Sequence, residues 1–197
     1  MNGQTLDQTF GTGFSPVKSI TGFNGAALNV PASPVTDPSA DVTEQQHTVD
    51  ATFVNGTLTI APSPAGEGIW IPYLGNGTGT PGSKGWGTFS RVVAGQSWVA
   101  TGPFSGCFVA AFTAGGGKRF AHLITPASGY TAASVDGQIS AIQTATGATG
   151  YEKWPMTGAG LGLAFFMNIG GSWRRRFVFV APHGAVMQIN AHSTPLT

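Results

Sequence analysis

Short apolar and β-branched runs, broken every few residues by glycine, proline or polar turns, dominate this chain and predict strands rather than long helices. The clearest case is HTVDATFV-NG-TLTIAP, where Asn55-Gly56 separates two β-prone runs. That dipeptide readily takes the positive φ values of a two-residue hairpin turn, so a hairpin is expected there. GIWIPYL (68–74) reads as a buried strand, and SRVVAGQSWVATG as strand, turn, strand. CFVAAFT-AGGG-KRFAHLIT (107–125) reads as a second hairpin, and LGLAFFMNI, FVFVAP and AVMQINA as further strands. One stretch, TAASVDGQISAIQTATG, is helix-like, weakened by Gly137 and ended by Gly147. Residues 31–41 (PASPVTDPSAD) and 75–87 (GNGTGTPGSKGWG) read as surface loops, the first linking an N-terminal arm to the main body. The expected fold is α+β: a β-rich mixed-sheet sandwich with a few short helices and long Gly/Pro-rich loops, in one domain over 1–197.

Composition sharpens this picture. Thirty glycines and 13 prolines supply the turns, and the 41% hydrophobic content with a net charge of +1 argues against disorder. Charged residues are 9% of the chain, against about 25% in an ordinary globular protein. No run reaches the roughly 18 apolar residues of a membrane helix. MNGQTLDQTFGTGF has neither the basic start nor the apolar centre of a Sec-type signal peptide, so a soluble chain without that export signal is expected. A single cysteine, Cys107, excludes an internal disulfide and a cysteine-cluster metal site.

That cysteine follows a Ser105-Gly106 turn and precedes His122 by 15 positions. If the hairpin pairs Thr113 with Lys118, Val109 lies opposite His122 and Cys107 sits one diagonal step away, about 7–8 Å at the backbone. Tightening the register by one pair puts Cys107 directly opposite His122. In both registers thiol and imidazole share a face. An imidazole beside a thiol can take its proton and make it a nucleophile, and backbone N–H groups around Ser105-Gly106 can bind an oxyanion. Equally, a lone cysteine often serves as a small buried hydrophobe, and a histidine on a strand face as a satisfied polar group.

Other motifs carry less. GTGTPG (77–82) matches G-x-G-x-x-G, but its proline and the lack of a following helix remove the dinucleotide reading. His47, His183 and His192 lack partners at metal-ligand spacing, and the eight acids form no glycosidase pair. The run Trp173-Arg174-Arg175-Arg176-Phe177 is the one basic cluster. On a strand its arginines alternate between faces, which with a near-zero net charge argues against nucleic-acid binding.

Thr101, Ser105-Gly106-Cys107 and His122 together resemble the pattern of the cysteine glutamine deamidases: a threonine six residues before the cysteine, a small Gly/Ser turn, then a histidine a dozen or more residues on. The superfamily includes the Burkholderia lethal factor type toxins, the cytotoxic necrotizing factor catalytic domains and the bacterial chemoreceptor glutamine deamidases. Length and the Thr-x-x-x-Ser-Gly-Cys string resemble the lethal factor most, and the Cys-to-His interval the necrotizing factors. Ala121-His122 with Pro126 resembles the chemoreceptor enzymes. Phe104 stands where the toxins tend to carry leucine. The similarity covers about 25 residues.

The resemblance implies a toxin or effector that hydrolyses a glutamine side-chain carboxamide on a folded target, through a thioester on Cys107. His122 would be the base and Thr101 its orienting partner, with neither metal nor cofactor. It further implies a host protein substrate: a translation initiation helicase first, hence translation inhibition, a Rho-family GTPase second and a chemoreceptor third. No nucleic-acid or membrane partner is implied. The chain would be a monomer, secreted or delivered into a host cytoplasm without a signal peptide, or else resident in the bacterial cytoplasm. Capture of the thioester by an amine, giving transglutamination, is a variant of the same chemistry. The competing expectation is a non-catalytic β-sandwich binding module with Cys107 buried and exposed tryptophans binding the ligand.

Overall fold

The computed structural model describes residues 1–11, 16–25, 27–37, 39–75, 84–126, 131–190 and 193–197. Most of the 75–87 loop, including GTGTPG, and His192 lie outside the described residues. Strands predominate, with two short helices, as a β-rich α+β fold.

The first helix, α1 (Gly3–Phe10), replaces the plain arm expected at the N-terminus. Asn2 caps it by accepting the Thr5 N–H at 2.9 Å, and Leu6 and Phe10, four residues apart, bury one face. Thirteen strands follow: β1 (Ser19–Thr21), β2 (Val42–Glu44), β3 (His47–Val54), β4 (Thr57–Pro62), β5 (Gly68–Ile71), β6 (Gly87–Phe89), β7 (Trp98–Phe104), β8 (Phe108–Ala114), β9 (Gly117–Leu123), β10 (Gly150–Pro155), β11 (Leu161–Ile169), β12 (Ser172–Val180) and β13 (Val186–Ile189). Helix α2 (Val135–Thr146) lies between β9 and β10, with Ser134 as N-cap and Gly147 in the left-handed conformation at its end.

Eight strands form one sheet in the order β1-β4-β3-β5-β7-β11-β12-β13. Its two edges approach each other: Val186 N donates to Lys18 O and Ile20 N to Gly184 O, both at 2.8 Å, so the sheet nearly closes on itself. Inside pack Trp70, Trp98, Phe165, Met167 and the α1 residues Leu6 and Phe10. The second sheet runs β10-β8-β9-β6-β2. Its outer face carries Phe112, Ala121 and Leu123 against Ile139 and Ile142 of α2. Its inner face packs on the eight-stranded sheet through Val109, Ala111 and Phe120 against Val99, Ala164 and Phe166. Most residues of β7, β8 and β11 are buried because both faces of these strands are covered.

Both predicted hairpins are present. Asn55 (φ 50°) and Gly56 (φ 82°) make the first turn, and Gly115-Gly116 the second. The expected strand at the start of SRVVAGQSWVATG is absent, and regular pairing begins only at Trp98. Residues 90–93 lie beside β9 by isolated bonds instead, Ser90 N to Phe120 O and Val93 N to Lys118 O. The Arg91 N–H meanwhile goes to the Gln46 side chain, so no ladder forms. β5 stops at Ile71 because Pro72 has no N–H to continue the ladder. β10 was not foreseen; its sequence, GYEKWP, alternates half-buried and exposed positions along a sheet edge. On β12 the arginines part as alternation requires. Arg176 turns inward to Asp7 at 2.8 Å, and Arg175 stacks over Trp154 at 4.3 Å on the other face.

Candidate active site

β8 and β9 pair with Thr113 opposite Lys118 and Val109 opposite His122. This is the looser of the two registers considered, so Cys107 is diagonal to His122 rather than opposite it. Cys107 precedes β8, at the end of the turn from β7, and belongs to the same inter-sheet core as Val109. It is 7% exposed and His122 is fully enclosed, whereas Ser105 and Gly106 beside them are exposed. Gly106 has φ +98°, and a Cβ built there would meet nothing within 4 Å. The turn therefore needs glycine and faces open space.

Thr101 reaches His122 from the other sheet. It lies fully buried on β7, and its Oγ1 is 3.0 Å from His122 Nδ1. The same hydroxyl donates its proton to the Ile71 carbonyl at 2.9 Å. A hydroxyl has one proton, already committed, so Thr101 Oγ1 must accept from His122 Nδ1–H. The ring proton therefore sits on Nδ1, and Nε2 carries the lone pair. Nε2 is buried and has no hydrogen-bond partner. The ring itself is held between Phe104, stacked at 4.1 Å between centroids, and Tyr73 at 5.0 Å.

Burial drives the His122 pKa down to about 3, so the imidazole is neutral at neutral pH. Burial also pushes the Cys107 thiol up, and the nearby Thr125 backbone N–H partly offsets this. Both effects disfavour a thiolate–imidazolium ion pair at rest. The resting state is a neutral thiol on the same face as a neutral imidazole of the tautomer that can accept a proton.

The structure thus joins Thr101 to His122 and sets Cys107 on the same sheet face with Ser105 and Gly106 at the rim, but no hydrogen bond links the Cys107 thiol to His122 Nε2. Sequence reasoning missed Phe104 and Tyr73 as the ring's flanks, and Thr125. Extending the hairpin register past β8 would have found Thr125, because it brings Cys107 opposite Ile124. No local signal pointed to Tyr73, which arrives from the end of β5.

Removing the Thr101 hydroxyl tests the tautomer. Thr101→Val leaves a buried Nδ1–H without an acceptor, which costs about 1–3 kcal/mol of stability. It also frees the ring to carry its proton on Nε2. Thr101→Ser keeps the acceptor and should retain the wild-type imidazole ¹⁵N shifts, with the proton on Nδ1. Identical spectra for all three proteins would sink the assignment.

Among the described residues no group of three or more His, Cys, Asp or Glu side chains is arranged to hold a metal. A 410 Å³ cavity lies away from this site, between the 36–44 segment and α2, floored by Val42, Phe89 and Ala141. No family model, no curated protein and no solved structure matches this chain.

Proposed function

We propose that this chain is a cysteine-dependent protein-glutamine deamidase with Cys107 as nucleophile, His122 as general base and acid, and Thr101 as the residue that fixes the histidine's tautomer. One observation carries the reading: a fully buried histidine whose Nε2 lone pair is left without a partner while its Nδ1–H is tied down. Leaving a buried polar atom unpaired costs about 1–3 kcal/mol, and here the unpaired atom is a basic lone pair on the sheet face that also carries Cys107.

In the proposed reaction the Cys107 thiol proton passes to His122 Nε2 as Sγ bonds to the carboxamide carbon of a glutamine side chain. Oxygen takes the negative charge and is met by backbone N–H at the Ser105–Cys107 turn. His122 returns the proton to nitrogen, the C–N bond breaks, and ammonia leaves a thioester. Water then attacks with His122 again as base, the C–S bond breaks, and glutamate and the free thiol are released. Because both groups are neutral at rest, proton transfer accompanies attack rather than preceding it.

A second reading, an inert binding module, is favoured by the low exposure of Cys107 and the raised pKa of its thiol. Under it the five tryptophans, all buried or half-buried, would leave binding to other side chains. The resemblance to bacterial toxins makes a folded host protein the substrate, with a translation initiation helicase first and a Rho-family GTPase second.

Peptide mass mapping of a eukaryotic lysate treated with the protein or with Cys107→Ser tests the proposal. A defined glutamine should gain about 1 Da only with the unsubstituted chain. No conversion in either sample, together with a Cys107 that resists iodoacetamide until unfolding, would leave the binding module.

A further inference from the structure

The turn that carries the nucleophile is pinned from an unexpected direction. Thr125, just beyond β9, donates its hydroxyl to the Gly106 carbonyl at 2.9 Å, and its backbone N–H acts on the Cys107 thiol, partly offsetting the rise that burial causes in its pKa. The hydroxyl thus grips the Gly106–Cys107 peptide directly before the nucleophile. Thr125 is itself held in place through its neighbour. The buried Gln138 of α2 accepts from Ile124 N at 3.0 Å and donates to Ile124 O at 2.7 Å, and also reaches Ala133 O at 2.8 Å. From the other side, Met156 N donates to Cys107 O at 2.9 Å.

The consequence follows from peptide geometry. In a trans peptide the C=O and N–H point in opposite directions. Fixing the Gly106 carbonyl toward Thr125 therefore aims the Cys107 N–H away from it. Within the described residues no acceptor takes that N–H. Gly106, with positive φ and no Cβ, offers little resistance to rotation of this peptide, and the Thr125 hydroxyl, at the exposed rim, restrains it.

We propose that Thr125 is a positioning residue for an oxyanion hole: its hydroxyl sets the Gly106–Cys107 peptide so that the Cys107 N–H faces the oxygen of an acyl group attacked by Sγ. This deepens the deamidase reading and rests on Cys107 being a nucleophile, but it does not depend on the acyl donor being glutamine.

The test compares two reactions of the native protein. Acylation by p-nitrophenyl acetate forms the Sγ–acyl bond, breaks the ester C–O bond, releases p-nitrophenolate and passes the thiol proton to His122. It proceeds through an oxyanion. Alkylation by iodoacetamide displaces iodide from carbon and forms no oxyanion. Thr125→Val keeps the backbone and the side-chain size but loses the hydroxyl. It should slow acylation about 100-fold while alkylation stays within about threefold. Thr125→Ser should restore acylation, and equal melting temperatures would exclude unfolding as the cause.

Parallel loss of both reactions, or a serine variant as slow as valine, would overturn the proposal. A wild-type Cys107 inert to both reagents in the native state would remove the nucleophile itself and the proposal with it. If instead the acylation-to-alkylation ratio moves as expected but no glutamine is converted in mass mapping, Thr125 keeps its role and only the deamidase reading falls.

Discussion

His122→Gln is expected to lower glutamine conversion by a factor on the order of 10³–10⁴, with little change in substrate binding. General acid–base groups contribute about 10²–10⁴, and in the proposed reaction one ring would serve both thioester formation and its hydrolysis. Glutamine is close to histidine in size, and its amide N–H₂ can still donate to Thr101 Oγ1, so the inter-sheet hydrogen bond has a substitute. What it lacks is a basic nitrogen. The measurement is kcat and KM of the variant on the glutamine identified by mass mapping, followed by ammonia release. A variant retaining a tenth or more of wild-type kcat would remove His122 from the chemistry.

Acid should destabilise this protein more than its eight acidic residues would suggest. His122 titrates near 3 in the fold and near 6.5 when unfolded, because burial penalises the imidazolium and no carboxylate is there to offset it. Below pH 6.5 the unfolded chain takes up a proton that the folded chain refuses. The stability this contributes is complete above 6.5 and is lost as pH falls towards 3, on the order of 3–5 kcal/mol in all. Against a typical total of about 5–15 kcal/mol that is a large share. Urea unfolding at pH 7 and pH 4 should show a greater loss for wild type than for His122→Gln, which has no ring to protonate. Equal losses would mean that the ring is hydrated or already charged in the folded state.

Both expectations have one cause, the depth at which the histidine lies. A base near the surface would titrate near its ordinary value and tolerate acid. Enclosed between Phe104 and Tyr73, His122 stays neutral across the physiological range, and in the proposed reaction it would accept the thiol proton only as negative charge moves from sulfur to the carboxamide oxygen. Under that proposal the placement of the oxygen carries more of the work, and the Thr125 hydroxyl is expected to bear on the rate.

The sequence alone determined the local features. Asn55-Gly56 set one hairpin, because few other dipeptides tolerate two successive positive φ values. The glycines after Ala114 set the other, and with it the pairing that puts Cys107 and His122 on one face. Helix α2 was readable from Gly147 at its end, whereas α1 hid in eight residues with only Leu6 and Phe10 as an apolar stripe. Tertiary structure decided what touches His122. Thr101 comes from the other sheet, Tyr73 from the end of β5, and Ile71, which takes the Thr101 proton, from β5 itself. Chain proximity encodes none of these contacts. They arise because two sheets bury their faces against each other, and the same burial fixes the tautomer, lowers the imidazole pKa and leaves one nitrogen unpaired.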